Sequence, residues 1–238
     1  MTDFVTLWVY LAATPLFGLT ATIGIYVVAA AAYERTARAP WANPVLWSIV
    51  ALGTLLMLTR TSYPSYFAGA QFVHVLLGPA VVALGWPLWL RRAELRRRGV
   101  ALLAAALAGG TVAAGSGVAF AWAFDLPSEV LRSLASKSVT APVAMGIAER
   151  IGGVPALAAV FAVMTGLIGA LSGKYIFDVL RIDPWAARGF ALGTCSHGIG
   201  AARAMQVHPD AGAYAGIALG LQVLLSSLLM PLVFRWFA

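Results

Sequence analysis

Of the 238 residues, 61% are apolar and 11% are charged, and the net charge is +7. A soluble domain carries about a quarter charged residues, so this chain cannot coat its own surface with polar groups; its mean hydropathy of +0.86 agrees. The composition excludes a soluble globular class. The single cysteine, Cys195, excludes an internal disulfide.

The charge-free runs are 4–33, 39–59, 61–90, 99–124, 138–148, 151–173, 189–202 and 211–234. A membrane-spanning helix needs about 20 apolar residues. Six runs meet that length, and 138–148 and 189–202 do not. The expected fold is all-α, a polytopic membrane helical bundle, with one membrane domain over residues 1–238. No cleavable signal peptide is expected, because the first residues carry Asp3 and no Lys or Arg.

In chain order, 4–33 is the first expected helix, followed by Arg35 and Arg38. The run 61–90 is longer than one crossing needs and contains Gly78-Pro79. Proline removes a backbone donor and distorts the preceding turn, so either an interrupted helix or a simple kink fits there. Arg91, Arg92, Arg96, Arg97 and Arg98 follow. Arginines clustered between two apolar runs mark a cytoplasmic loop, so the positive charge is a membrane-flanking feature and no nucleic-acid partner is expected. The same rule puts the loops near 60–65 and 125–132 outside and leaves orientation beyond residue 133 open. An internal repeat is suggested at a spacing of 54, where Gly99-Val-Ala-Leu-Leu-Ala-Ala matches Gly153-Val-Pro-Ala-Leu-Ala-Ala. Thr111 then aligns with Thr165, and Gly115 with Gly169.

The two short runs hold the densest polar chemistry. One reads Lys137-Ser138-Val-Thr140-Ala-Pro142 through Glu149-Arg150; the other reads Thr194-Cys195-Ser196-His197-Gly198-Ile-Gly200 through Arg203. Hydroxyls, a breaker and a nearby charge are signs of discontinuous helices, whose free ends can line a site at mid-membrane. Gly198 and Gly200 are the expected breakers of the second run. Lys137 and Arg203 are expected to supply charge, and Ser138, Thr140, Thr194 and Ser196 hydrogen bonds, around Pro142 and His197. Such a set suits a small organic-acid anion. Glu149 and His197 are candidates for carrying a proton. Hydroxyls in membrane helices also bond their own backbone, and terminal cations snorkel to headgroups. His208, beside Pro209-Asp210, reads as loop. No metal-ligand spacing, cofactor motif or nucleophile–base pair is evident, so neither a metal, a cofactor nor an enzyme activity is expected.

These segments, with Tyr66-Phe-Ala-Gly69, Leu76-Leu-Gly-Pro-Ala80, Ile151-Gly-Gly-Val-Pro155 and Ala187-Arg-Gly-Phe-Ala-Leu-Gly-Thr194, resemble the LrgB/CidB family of bacterial membrane proteins. The resemblance implies a multi-pass protein of the bacterial inner membrane and a small LrgA/CidA-type membrane partner. It implies either transport of small monocarboxylates of the glycolate, glycerate and pyruvate class or antiholin-like control of murein hydrolases and lysis. A homodimer is the default assembly. Cys195 departs from the family pattern, where an alanine-like residue is typical, and so does Gly85-Trp86.

Overall fold

The computed structural model describes residues 15–76, 79, 82, 83, 85–90 and 92–236. Gly78, and with it the break expected at Gly78-Pro79, lies outside them; Pro79 itself is helical. Among the described residues the protein is all-α, as the hydropathy pattern requires. It divides into two compact units, Met1–Val82 and Ala83–Ala238.

The first unit contains α1 (Pro15–Arg35), a 3-10 turn (Pro40–Ala42), α2 (Pro44–Leu58) and α3 (Tyr63–Val75). Gly18 on α1 lies against the Tyr66 carbonyl of α3, and Thr22 Oγ1 shares a 2.7 Å hydrogen bond with the Tyr66 hydroxyl. One of the six expected spans is cut short here. The run 39–59 yields only the 15 residues of α2. The Pro40–Ala42 turn takes up its start, and Asn43 Oδ1 then caps α2 by accepting from Val45 N at 2.9 Å and Leu46 N at 3.2 Å. In the run 61–90 the described helices are α3 and α4 (Gly85–Leu90), and Pro79, Val82 and Ala83 are helical too.

The second unit contains α4, α5 (Arg92–Ala123), α6 (Ser128–Ala135), α7 (Ala141–Ile151), α8 (Pro155–Val179), α9 (Trp185–Val207) and α10 (Pro209–Phe234). Among the described residues four helices are long and apolar enough to cross a membrane: α1, α5, α8 and α10. The segments between them in the second unit are hairpins.

Helix α9 is not straight. A continuous helix would hold Trp185 and His208 about 35 Å apart, yet their rings stack with centroids 5.0 Å apart. The backbone leaves helical geometry at His197, at φ 41° and ψ −132°. Residues 185–196 therefore run inward and 198–207 run back. We call this pair hairpin B. The residue with non-helical backbone is His197 itself, directly before Gly198, rather than either expected glycine; Gly200 serves close packing. A Cβ on Gly200 would sit 2.7 Å from the Leu192 carbonyl of the opposite arm.

Helices α6 and α7 form hairpin A around the non-helical stretch 136–140. Val154 N donates to Ser133 Oγ at 2.8 Å, and Ser136 Oγ donates to the Ala144 carbonyl at 3.3 Å. The first bond ties α6 to the N-cap of α8, and the second ties the tip to α7.

Side-chain pairings set the directions. Gln222 on α10 donates to the Ala106 carbonyl of α5 at 2.6 Å, and Tyr214 bonds Glu94, so α5 and α10 run parallel. Gly189 and Gly193 lie on the backbone of Ala211 and Ala215, so the inward arm of hairpin B is parallel to α10. Gly173 meets Leu192 and Gly166 meets His197, so α8 runs the opposite way. Hairpin A thus enters from the end where α5 finishes, and hairpin B from the end bearing the arginines of α5. The order long helix then hairpin occurs twice, inverted, and the 54-residue spacing lays Gly115 of α5 on Gly169 of α8.

At Gly193 a methyl group would overlap the Ala215 backbone. Gly193→Ala should therefore lower stability by about 1–3 kcal/mol through overpacking. Gly146 has open space around it, and Gly146→Ala should change stability by less than about 1 kcal/mol. Unfolding of purified protein in detergent measures both.

Candidate functional site between two hairpin tips

The two hairpins end at one place. A Cβ on Gly198, just past the tip of hairpin B, would have the Thr140 methyl as its nearest neighbour, 3.9 Å away. Thr140 is the N-cap of α7, at the tip of hairpin A. Cys195 and Lys137 lie within electrostatic range of each other across the same gap. Lys137 is half-buried, and its ammonium donates to the Ala113 carbonyl of α5 at 2.8 Å and to Ser138 Oγ at 3.4 Å.

The outward arm of each hairpin begins at its tip, so two helix N-termini face one gap. The first turn of a helix leaves backbone N–H groups without intrahelical acceptors and carries about half a positive charge. In α7 these groups include Ala141 and Val143; Pro142 has no N–H and suits the first helical turn. In hairpin B the helix resumes after His197, so the corresponding end is at Gly198. Thr140 is 8% exposed, makes no side-chain cap bond, and its Oγ1 has no hydrogen-bond partner within the protein. A buried hydroxyl without a partner is costly. Here it stands at the N-terminus of α7, with the start of hairpin B's outward arm against its methyl group, and a helix N-terminus favours an anion.

The expected site residues divide into three groups. Lys137, Ser138, Thr140, Pro142, Ser196 and His197 lie at or next to the tips. Ser138, Thr140, Ser196 and His197 are all buried. Thr194 is one turn back, buried against Gly109 of α5, with Oγ1 donating to the Phe190 carbonyl at 2.9 Å. Arg203 and Glu149 are not brought to the tips. Arg203 lies with Lys174, Arg188 and Trp185 in a recess of about 100 Å³ near the open end of hairpin B. Glu149 is exposed near the far end of α7. Both are six or more residues along an outward arm, about 9 Å or more from the tips by helical rise, because each arm carries its late residues back toward a membrane surface.

His197 is held on both sides of the ring. Its Nε2 pairs with the Ala162 carbonyl of α8 at 2.7 Å, which fixes that nitrogen as the protonated one, since a carbonyl only accepts. Any Cβ on Gly166 would lie 2.9 Å from its Cε1, and one on Gly169 would overlap Ser196 Oγ. The three glycines 166, 169 and 173 are thus the seat of hairpin B. Sequence reasoning missed this seat and the serine staples of hairpin A. The seat is visible in retrospect as glycines at helical spacing; Ser133 and Ser136 carry no comparable signal. His208 lies between helices as read, and it also caps α10, with Nδ1 accepting from Asp210 N at 3.1 Å.

An all-α bundle in which two opposed hairpins bring buried polar tips together defines a helical membrane protein. The LrgB-like family model matches residues 22–236, and the chain belongs to that family. The uncharacterized protein YxaC of Bacillus subtilis (strain 168) is 34% identical over 212 residues, which cover 89% of this chain and 92% of YxaC. A Haemophilus influenzae protein is 31% identical over 193 residues, covering 81% and 84% of the two chains. Holin-like protein CidB of Staphylococcus aureus (strain Mu50) is 27% identical over 198 residues, covering 83% and 86%. No solved structure matches the chain.

If the Thr140 hydroxyl is kept for a ligand, removing it should not harm the fold. Thr140→Val should leave the stability of the ligand-free protein unchanged or raise it by about 1 kcal/mol, since it deletes an unpartnered buried polar atom. A loss of more than about 1 kcal/mol in the same unfolding assay would show that the hydroxyl is structural.

Proposed function

We propose that this protein carries small monocarboxylate anions across the bacterial inner membrane, with the anion held between the two hairpin tips. The unpartnered Thr140 hydroxyl between two helix N-termini carries the reading. In it the carboxylate accepts from Thr140 Oγ1, from the first N–H groups of α7 and of the outward arm of hairpin B, and from Lys137. No metal or cofactor is needed, and no bond is made or broken, so the protein is read as a carrier and not an enzyme. The gap lies between short arms, which favours anions of a few heavy atoms such as glycolate, glycerate or pyruvate.

Charge supports an orientation. Among the described residues of the second unit, eight Lys and Arg (Arg92, Arg96, Arg97, Arg98, Lys174, Arg181, Arg188, Arg203) lie toward the end where hairpin B enters. Three (Arg132, Arg150, Arg235) lie toward the end where hairpin A enters. The positive-inside rule makes the hairpin B end cytoplasmic.

Proteoliposomes should take up labelled glycolate, glycerate or pyruvate, and Thr140→Val and Lys137→Gln should lose most of that uptake while remaining folded. Uptake equal to wild type in both variants, or none by well-folded wild-type protein, would sink the proposal. The name of the relative CidB favours a second reading, a holin-like or antiholin-like regulator of murein hydrolases and lysis acting with a small LrgA/CidA-type membrane protein. That reading expects co-purification with such a partner and lysis phenotypes that survive Thr140→Val and Lys137→Gln.

A further inference from the structure

The hairpins enter from opposite ends of the bundle, and they are not held equally. Hairpin B is sunk into its neighbours through backbone contacts. Gly189 and Gly193 lie on the α10 backbone, Gly173 admits Leu192, and Gly166 and Gly169 admit His197 and Ser196. Contacts that leave no room for a methyl group allow little rocking, because any tilt drives backbone into backbone.

Hairpin A is held differently. Along its length its contact with α8 is a layer of side chains, Val139, Ala144, Ile147, Ala148 and Ile151 against Ala158 and Ala162; only at its base is it pinned, where Ser133 bonds Val154, the N-cap of α8, and Gly153 lies on the Ser133 backbone. Its hold on α5 is the Lys137 bond to Ala113 and the approach of Leu134 to Gly117. Its tip, 136–140, is non-helical. Its outward arm leaves through Gly152-Gly153, where Gly152 takes φ +76°, a left-handed conformation that other residues resist. These small residues sit at the base of an arm only 11 residues long, where a hinge would act.

We infer that hairpin A is a gate that swings on Gly152-Gly153, opening the tip site toward the end where α5 finishes, while hairpin B stays fixed to α8 and α10. The inference rests on the anion-carrier reading for what passes the gate, but the motion is measurable without transport. An anion that bridges both tips binds the closed form better, so it must shift the population toward closure.

The test uses full-length Cys195→Ser protein, so that introduced cysteines are the only ones. Spin labels at Gly146→Cys on hairpin A and Val100→Cys on α5 report gate position; labels at Met205→Cys on hairpin B and Trp122→Cys on α5 report the fixed half. All four sites are exposed. The first pair should show two distance populations, with pyruvate enriching one of them; the second should show one population throughout. A single, pyruvate-insensitive population in the first pair, or a shift confined to the second, would overturn the gate. In proteoliposomes, a Gly117→Cys/Leu134→Cys disulfide should abolish uptake until reduced. The equivalent Gly173→Cys/Leu192→Cys disulfide on hairpin B should not, and the reverse pattern would also overturn the gate. If the first pair shows its two populations but no carboxylate is taken up by any form, the gate stands and the carrier reading falls.

Discussion

Everything in the second unit follows from one constraint: backbone polar groups in hydrocarbon must be satisfied inside the protein. Irregular backbone at membrane depth survives only where protein buries it or where it lines a cavity. Among its described residues the second unit has two such places within its hairpins, residues 136–140 and His197, and it brings them together. The break at His197 is strained, and strain of about 1–3 kcal/mol per residue persists only where surroundings over-determine it. Here the surroundings are the Ala162 carbonyl on Nε2 and the glycine seat of α8 against the ring and against Ser196.

Small residues make that burial affordable. Between membrane helices there is little hydrophobic drive, so close approach and dispersion do the packing. The glycines of α8 and of hairpin B's inward arm remove side chains where backbones must meet. In hairpin A, serines take the corresponding role by another route. Ser133 donates to the Glu129 carbonyl at 2.6 Å and also accepts from Val154 N, satisfying groups freed where the helices end.

Two helix ends are left aimed at one gap, and their dipoles add. A buried positive potential without a matching carboxylate is unfavourable unless something negative visits it. Among the described residues at the tips no Asp or Glu is present: Glu149 is carried away along α7, and Asp178 and Asp183 sit with Arg188 near the far end of hairpin B. The vacancy in charge and the unpartnered Thr140 hydroxyl point to the same class of visitor, which is why a carrier is preferred to a purely structural partner.

The sequence by itself determined the solvent and the weak points. Sixty-one per cent apolar residues with few charges admit only lipid as surroundings, and two runs too short to span identified the interruptions. It also located most of the tip residues, because hydroxyls and an imidazole in an apolar stretch are costly enough to be conspicuous. Tertiary structure decided what local pattern cannot encode. That α9 doubles back at His197, one residue before Gly198, depends on a long-range bond from His197 to α8. That Thr140 is unpartnered while Thr194 is satisfied depends on which backbone lies beside each. Arg203 and Glu149 share helical faces with tip residues, yet a face is not a depth. The arms of the hairpins carry both away, and only the fold sets how far along an arm the membrane's middle lies.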